Sequence, residues 1–163
     1  MAARATRSAS GAASSSDDAS RCLLLALSHD ELGVIVDGLA DPLQPVVAVA
    51  LSSTCLGLRT PLRAALEVLR QRHEKAKALC RMMNTTCLEL RDSVKLYWYC
   101  KGLTADDMAT LGMLLGSNYA PVLQRLDFSY DWFGDVGAQA LAAALPEASL
   151  TSLELTNNGI SVA

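Results

Sequence analysis

A repeat with a period of 27 residues, in the second half of the chain, is the feature that most constrains the fold. The spacing of apolar residues in Leu123–Phe133 recurs in Leu150–Ile160, so that Leu126 matches Leu153. Units with a fixed period in this range cannot bury their apolar faces singly and do so only when copies stack side by side. The repeat therefore predicts an array of similar units with one shared interior.

Each copy has the pattern of a short strand followed by a turn and a helix. In Leu126-Asp127-Phe128, one polar residue between two apolar residues gives the alternation of a strand. A polar residue follows the strand in each copy, Asp131 in the first and Asn158 in the second, and its side chain can bond to backbone groups of the turn. We expect a helix next, with Asp135 as its N-cap and Pro146 just beyond its end.

A degenerate third copy precedes these two. Leu96 lies 30 residues before Leu126, and the three additional residues fall in the loop 116–121, where insertions are tolerated. Lys101 occupies the position of the turn Asp or Asn, so we interpret this copy as the entry unit, because terminal repeats are atypical. The array is predicted to run from about Ser93 to the C-terminus.

These copies resemble the ribonuclease-inhibitor subtype of leucine-rich repeats, which also occurs in many intracellular receptors. The matching residues are Leu123, Leu126, Phe128, Phe133, Gly134, Asp135, Gly137, Ala138, Ala140, Leu141, Leu145, Leu150, Leu153, Leu155, Asn158, Gly159 and Ile160. The resemblance implies an α/β fold, namely a short solenoid of about two and a half repeats over residues 93–163 with parallel strands inside and helices outside. It implies a binding surface and no chemistry of its own.

Residues that alternate with the inward leucines are expected to lie on the concave side and to bind a protein partner. They are Lys95, Tyr97, Tyr99, Arg125, Asp127, Ser129, Tyr130, Ser152, Glu154 and Thr156. Tyrosine and arginine are enriched at binding hot spots because they combine a large contact area with polar groups. The alternative is that these are solvated sheet residues without a partner. Trp132, at the position of Gly102 and Gly159, is expected to be exposed or to cover the sheet edge.

Residues 21–92 are predicted to form an α-helical N-terminal cap. Ser28 and Glu31 have the spacing of a capping box at the start of the first helix. The segment 46–58 is apolar nearly all round, which predicts a buried helix.

A long helix is expected to begin at Thr60, as its N-cap, with Pro61 in the first turn and Asn84 at its end. Its apolar stripe predicts packing on the cap, with a dimerising coiled coil as the alternative; we expect His73 to be partly buried and hydrogen-bonded. Thr85 or Thr86 would then cap a short helix before the first strand. The members of the stripe are Leu62, Leu66, Leu69, His73, Ala76, Cys80 and Met83.

The segment from Leu27 to Arg59 resembles the opening of an F-box, with Ser28 in place of the usual proline. This second resemblance implies a substrate receptor that docks onto the adaptor subunit of a cullin ubiquitin ligase. The residues that would make this contact are Leu27, Leu32, Ile35 and Leu39. The alternative is that these side chains pack a helical cap against the first repeat.

Composition and motifs argue against several classes of function. The formal net charge of −3 gives no attraction to nucleic acid or an anionic membrane, and no apolar run is long enough to span a bilayer. No nucleotide-binding, hydrolase or metalloprotease motif occurs, so we expect a non-enzymatic protein without catalytic residues, metal or cofactor.

The five cysteines include no C-x-x-C pair, which favours free thiols in a reducing compartment, the cytoplasm or nucleus. Cys80 and Cys87 would share a helical face only if their helix continued past Asn84.

The two ends of the chain carry separate expectations. Residues 1–20 are rich in Ala and Ser, with Arg4 and Arg7, which predicts a disordered tail; an organelle transit peptide is the alternative. The other end stops after a strand and turn without a following helix. We expect either a fragment of a longer repeat protein or a last edge that meets a partner or another copy of the chain.

Overall fold

The computed structural model describes residues 23–54, 56–117 and 119–161, so the expectations for residues 1–20 lie outside it. A 3-10 helix (Leu23–Ala26) is followed by helices α1 (His29–Leu39), α2 (Val46–Thr54), α3 (Leu56–Met82) and α4 (Cys87–Asp92). Strands and helices then alternate as β1 (Lys95–Tyr97), α5 (Ala105–Gly116), β2 (Arg125–Asp127), α6 (Gly134–Ala142), a 3-10 helix (Leu145–Glu147) and β3 (Ser152–Glu154). The fold is mixed α/β, with the helical region first.

The three strands form one parallel sheet in the order β1-β2-β3. Leu96 is paired with Leu126, and Leu126 with Leu153, so the register follows the spacings of the sequence copies. Backbone pairing continues beyond the strands, since the Cys100 N–H donates to Ser129 O at 2.9 Å. The prediction that the three copies place their strands side by side is confirmed.

The main core lies between the sheet and the helices α3, α5 and α6. Leu96, Leu126 and Phe128 contribute the inward side of the first two strands and are buried, as the alternation predicts. Helices α5 and α6 approach closely at Gly112, where a Cβ atom would lie 2.8 Å from the carbonyl oxygen of Ala140. Small residues at this contact therefore set the spacing of the layer that covers the sheet.

Helix α3 connects the helical region to the sheet, because it packs on α1 and α2 along one part and on α5 along another. Its predicted apolar stripe is buried within the chain at Leu62, Leu69 and Ala76, which fits packing rather than a coiled coil. His73 is half-buried, and its Nδ1 lies 2.7 Å from Pro42 O. The prediction of a partly buried, hydrogen-bonded histidine is confirmed.

The predicted start of α3 at Thr60 is wrong, because the helix begins at Leu56 and Pro61 lies inside it. Proline lacks the N–H of an internal helical bond and crowds the preceding turn. The earlier start places Leu58 in the core with Leu32 and Leu62, where it is 0% exposed. Burial of a leucine is worth about 1.5–3 kcal/mol, enough to offset much of the cost of an internal proline.

The other helix boundaries follow local hydrogen bonds. Ser28 and Glu31 form the predicted capping box of α1, with the Ser28 N–H donating to Glu31 Oε2 at 2.8 Å. Asn84 ends α3 as predicted; it has a left-handed φ of 53°, and its N–H donates to Arg81 O at 3.0 Å. Thr86 then caps α4.

The prediction of a buried helix over 46–58 is wrong for its first turns. Val46, Val47 and Val49 are exposed, whereas Ala48 and Ser52 are buried. The composition is apolar on all sides, but α2 packs chiefly on α3 and only slightly on α1, so one face is covered.

Candidate partner-binding face

Buried polar side chains join each turn to the turn before it. Asn158 is 1% exposed, and its Oδ1 accepts hydrogen bonds from the N–H groups of Asp131 at 2.8 Å and Trp132 at 3.1 Å. Its Nδ2 donates to Phe128 O at 2.8 Å. The prediction that this side chain satisfies turn backbone is confirmed, and the turn that it serves is the preceding one.

Asp131 serves the turn after β1 in the same way. Its Oδ1 accepts from the N–H groups of Lys101 at 2.6 Å, Gly102 at 2.7 Å and Leu103 at 3.2 Å. Its other oxygen, Oδ2, is buried without a hydrogen-bond partner, and the whole residue is only 4% exposed. An unpaired buried acceptor costs about 1–3 kcal/mol.

The turns also share an unusual backbone conformation. Gly102, Trp132 and Gly159 have φ values of 72°, 61° and 67° at equivalent positions. A bulky residue in this left-handed region is strained, whereas glycine is not. Trp132 is 76% exposed, and its ring lies against Gly159, where a Cβ atom would be 3.5 Å from Trp132 Cε3. The sequence predicts that Trp132 is exposed or covers the edge of the sheet. In the structure it is exposed, with its ring above the turn after β3.

Nine of the ten predicted concave residues alternate with inward core residues and lie on the sheet face opposite the core, and Tyr130 lies in the turn at its end; we call the ten together the open face. Three rows cross the sheet; the first two follow the strand register, and the third continues it through the backbone hydrogen bonds beyond the strands. The rows are Lys95, Arg125 and Ser152; Tyr97, Asp127 and Glu154; then Tyr99, Ser129 and Thr156. Tyr130 follows Ser129, with its N–H donating to Thr156 O at 2.9 Å. Asp127, Ser129 and Ser152 are half-buried, and the other seven are exposed.

Charge on the open face is arranged by row. Lys95 and Arg125 are direct neighbours across β1 and β2, and Asp127 and Glu154 are direct neighbours across β2 and β3. Neighbouring strands lie about 4.8 Å apart, and like charges directly opposite each other are destabilising. The salt bridges formed by the described residues are Lys75–Asp106 and Arg91–Asp41, both away from this face.

Exposed aromatic side chains accompany these charges. Tyr97, Tyr99 and Tyr130 are 59%, 57% and 55% exposed. Tyr97 stands in the same row as the acidic pair, directly beside Asp127. Large aromatic side chains left in water are a feature of surfaces that bind other proteins.

The four residues of the F-box-like segment have different surroundings. Leu32 is 5% exposed and packs with Val36, and Leu27 packs partly against the same cluster. Leu39 packs on a second cluster with Ala40 and Leu69, while Ile35 is half-buried. A partner on the folded surface can reach Ile35 but not Leu32.

The acidic side chains near helix starts have structural roles. Thr104 and Asp107 form a capping box at the start of α5, with the Thr104 N–H donating to Asp107 Oδ2 at 2.9 Å. The prediction that Asp135 caps α6 is wrong, because the helix begins at Gly134 and Asp135 Oδ1 accepts from the Ser161 N–H at 2.7 Å. This backbone hydrogen bond lowers the pKa of Asp135. The earlier start leaves the carboxylate free to hold the turn after β3.

Comparison with known proteins gives no family for this chain. No family model, no curated protein and no solved structure matches it. Within the described ranges, no group of three or more His, Cys, Asp or Glu side chains is placed to hold a metal ion. None of the helices described is long and apolar enough to cross a bilayer.

Proposed function

We propose that this chain is a non-enzymatic protein-interaction module, built as a short leucine-rich-repeat solenoid behind a helical cap, whose open face binds a protein. The observation that carries the proposal is the row arrangement of like charges, which form no salt bridge among the described residues, beside exposed tyrosines. The parallel sheet, the period of the copies and the turn side chains support the solenoid.

The charge rows define the chemistry of the partner. Lys95 beside Arg125 attracts a carboxylate, and Asp127 beside Glu154 attracts a lysine or arginine of the partner. Residues two apart on one strand are separated by about 6.6 Å, so these two groups of the partner must be similarly spaced. A partner with this pattern relieves both like-charge contacts, and complementary charge of this kind mainly sets specificity and association rate.

The test compares partner capture by the wild-type chain and by variants of the open face. In the first variant, Tyr97, Arg125 and Tyr130 are changed to Ala; the matched control changes three exposed residues of the helix side, Val136, Gln139 and Glu147, to Ala. Proteins that bind the open face are expected with the wild type and the control and to be lost with the first variant. Identical captures from all three, with unchanged circular dichroism, would contradict the proposal.

A charge exchange gives a sharper version of the same test. Arg125→Asp combined with Asp127→Arg keeps composition and net charge but reverses the rows on β2. We expect partner binding to fall by at least tenfold, because each wrong pairing replaces attraction with repulsion. Binding unchanged by the exchange would show that the rows do not select the partner.

An alternative function is docking of the helical region onto the adaptor subunit of a cullin ubiquitin ligase. The valines exposed on α1 and α2 favour it, since Val34, Val46 and Val49 are 73%, 68% and 52% exposed within the F-box-like segment. Co-purification with the adaptor tests it, with Ile35→Asp and Val46→Asp expected to abolish association. If the adaptor does not associate with the wild-type chain, this alternative is removed, and the proposal that the open face binds a protein is unaffected.

A further inference from the structure

Cys80 and Cys87 line the same cavity although they belong to different helices. Cys80 is in the last turn of α3, and Cys87 is the first residue of α4. The chain reverses between them because Asn84 has a left-handed φ of 53° and the Thr85 N–H donates to Cys80 O at 2.9 Å. Thr86 caps the start of α4, so hydrogen bonds fix both sides of the turn.

A cavity of about 260 Å³ opens at this turn, and both cysteines line it. Cys80 is 2% exposed and belongs to the main core, whereas Cys87 is half-buried. A reagent that enters the cavity therefore meets Cys87 first and Cys80 behind it. The other lining residues are His73, Lys77, Arg81, Thr85 and Thr86.

The surroundings make the two thiols unequal. Burial raises the pKa of Cys80 to about 12, with smaller contributions from the charge of Cys87, a hydrogen bond between the two side chains and the charge of Glu89. Cys80 is therefore a neutral thiol near pH 7, and thiols in this form react slowly with disulfides. Lys77 and Arg81 give the cavity positive charge, which favours anionic reagents.

We propose that Cys80 and Cys87 are an oxidisable dithiol site that reacts with small anionic disulfides of the glutathione class and closes to an intramolecular disulfide. In the first step the Cys87 thiolate attacks one sulfur of glutathione disulfide; the S–S bond breaks, and one glutathione thiolate leaves. In the second step Cys80 gives up its proton to that thiolate or to water and attacks Cys87 Sγ, which releases the second glutathione. The two protein thiols are oxidised, and one glutathione disulfide is reduced to two molecules of glutathione.

The order of attack follows from the geometry. Cys87 is reachable from the cavity, so the mixed disulfide forms there, and Cys80 lines the same cavity behind it and is placed for the second step. Attack by Cys80 on the mixed disulfide takes place within one chain, and the proximity of the two sulfurs offsets the low reactivity of its neutral thiol.

The experiment incubates the full chain in buffers with increasing ratios of oxidised to reduced glutathione, quenches with an alkylating reagent and maps the cysteines by peptide mass spectrometry. We expect a Cys80–Cys87 disulfide in the wild type. Cys80→Ser is expected to accumulate glutathione on Cys87, and Cys87→Ser is expected to leave Cys80 as a free thiol. Cys100→Ser, which removes an exposed cysteine, is the control and should give the wild-type pattern.

Two results would overturn the proposal: stable glutathione on Cys87 in the wild type with Cys80 still alkylatable after unfolding, or preferential pairing of either cysteine with Cys22, Cys55 or Cys100. Cys80→Ala, with circular dichroism, checks that the accumulation does not arise from misfolding.

The role of the positive charge of Lys77 and Arg81 is tested by measuring the rates at which two disulfides of opposite charge oxidise the cysteines. Lys77→Glu and Arg81→Glu should slow oxidation by glutathione disulfide by severalfold and leave or increase the rate with cystamine, a cationic disulfide. Arg63→Glu makes the same charge change about 25 Å away on α3 and should alter neither rate. Equal slowing with both disulfides would show a structural effect instead and would contradict selection of anionic reagents.

Discussion

The side-chain oxygen of Asn158 lies 2.8 Å from the backbone nitrogen of Asp131, so the turn after β3 completes the turn after β2. Asp131 does the same for the turn after β1, with its Oδ1 2.6 Å from the nitrogen of Lys101. These buried contacts hold the ends of the strands in register and thereby fix the rows of the open face.

Asn158→Ala is expected to destabilise the chain by about 2–4 kcal/mol, because two backbone N–H groups and one carbonyl lose their buried partner. Urea unfolding followed by circular dichroism measures the change. Asn157→Gly is the control: Asn157 is exposed with a φ of 58°, which glycine tolerates, so a change below about 0.5 kcal/mol is expected. Equal effects of the two substitutions would contradict a special role for Asn158.

Asp131→Asn is expected to stabilise the chain by about 1 kcal/mol. The substitution keeps the accepting oxygen and replaces the unpaired buried Oδ2 with an amide group. By equivalence with Asn158, whose amide donates to Phe128 O, this group would donate toward the carbonyl of Trp98. Thermal and urea unfolding check the sign, and Asp131→Ala should destabilise in the same assays. A loss of stability with Asn would show that the carboxylate charge is required.

Gly112→Ala is expected to destabilise by about 1–3 kcal/mol, because the added Cβ would lie 2.8 Å from the Ala140 carbonyl and force α5 and α6 apart. The same substitution at Gly33, in α1 with no atom within 4 Å of the new Cβ, should stabilise by up to about 1 kcal/mol. Opposite signs in urea unfolding are the expected result. A neutral Gly112→Ala would mean that the two helices can move apart freely.

Trp132→Gly is expected to raise stability by about 1 kcal/mol, since glycine adopts the φ of 61° without strain. If the exposed indole contacts the partner, the same substitution lowers capture by the open face. Tyr97→Gly, on extended strand backbone, should lower both stability and capture. Unfolding and capture measured on the same preparations separate the two effects, and reduced stability of Trp132→Gly would refute strain at this turn.

Glu89→Gln is expected to lower the stability of the chain at neutral pH but not in acid. The hydrogen bond from the Thr86 backbone N–H, followed by bonds to the Thr86 and Thr85 hydroxyls, lowers the pKa of Glu89 from 4.5. A lowered folded-state pKa gives stability that is complete above the unfolded value and is lost as pH falls through the folded value. The wild type should therefore exceed Glu89→Gln in urea midpoint at neutral pH, and the difference should vanish in acid. Glu74→Gln, exposed within α3, is the control; a difference that persists in acid would contradict the assignment.

Much of the sheet could be predicted because its signal is local and repeated. The spacing from Leu96 to Leu126 and to Leu153 is the register of the strands, since equivalent residues of stacked units become neighbours. The capping pair Ser28–Glu31 was likewise readable, because both members lie within one turn of helix.

Features that depend on distant packing could not be predicted. The burial of Leu58 extends α3 past Pro61, and the sequence around Thr60 carries only the competing signal of a helix start. The exposure of Val46 follows from how few helices reach α2. Cys80 and Cys87 approach through the turn at Asn84, whereas the sequence pattern brings them to one face only in a continuous helix.

The direction of the turn contacts gives the array a polarity. The turns after β1 and β2 are each finished by the unit that comes later in the chain. Removal of residues after about 148 would therefore leave the N–H groups of Asp131 and Trp132 without their acceptor, while removal of residues before β2 would not. During synthesis, the first two units accordingly stay unfinished until the unit that follows each of them emerges.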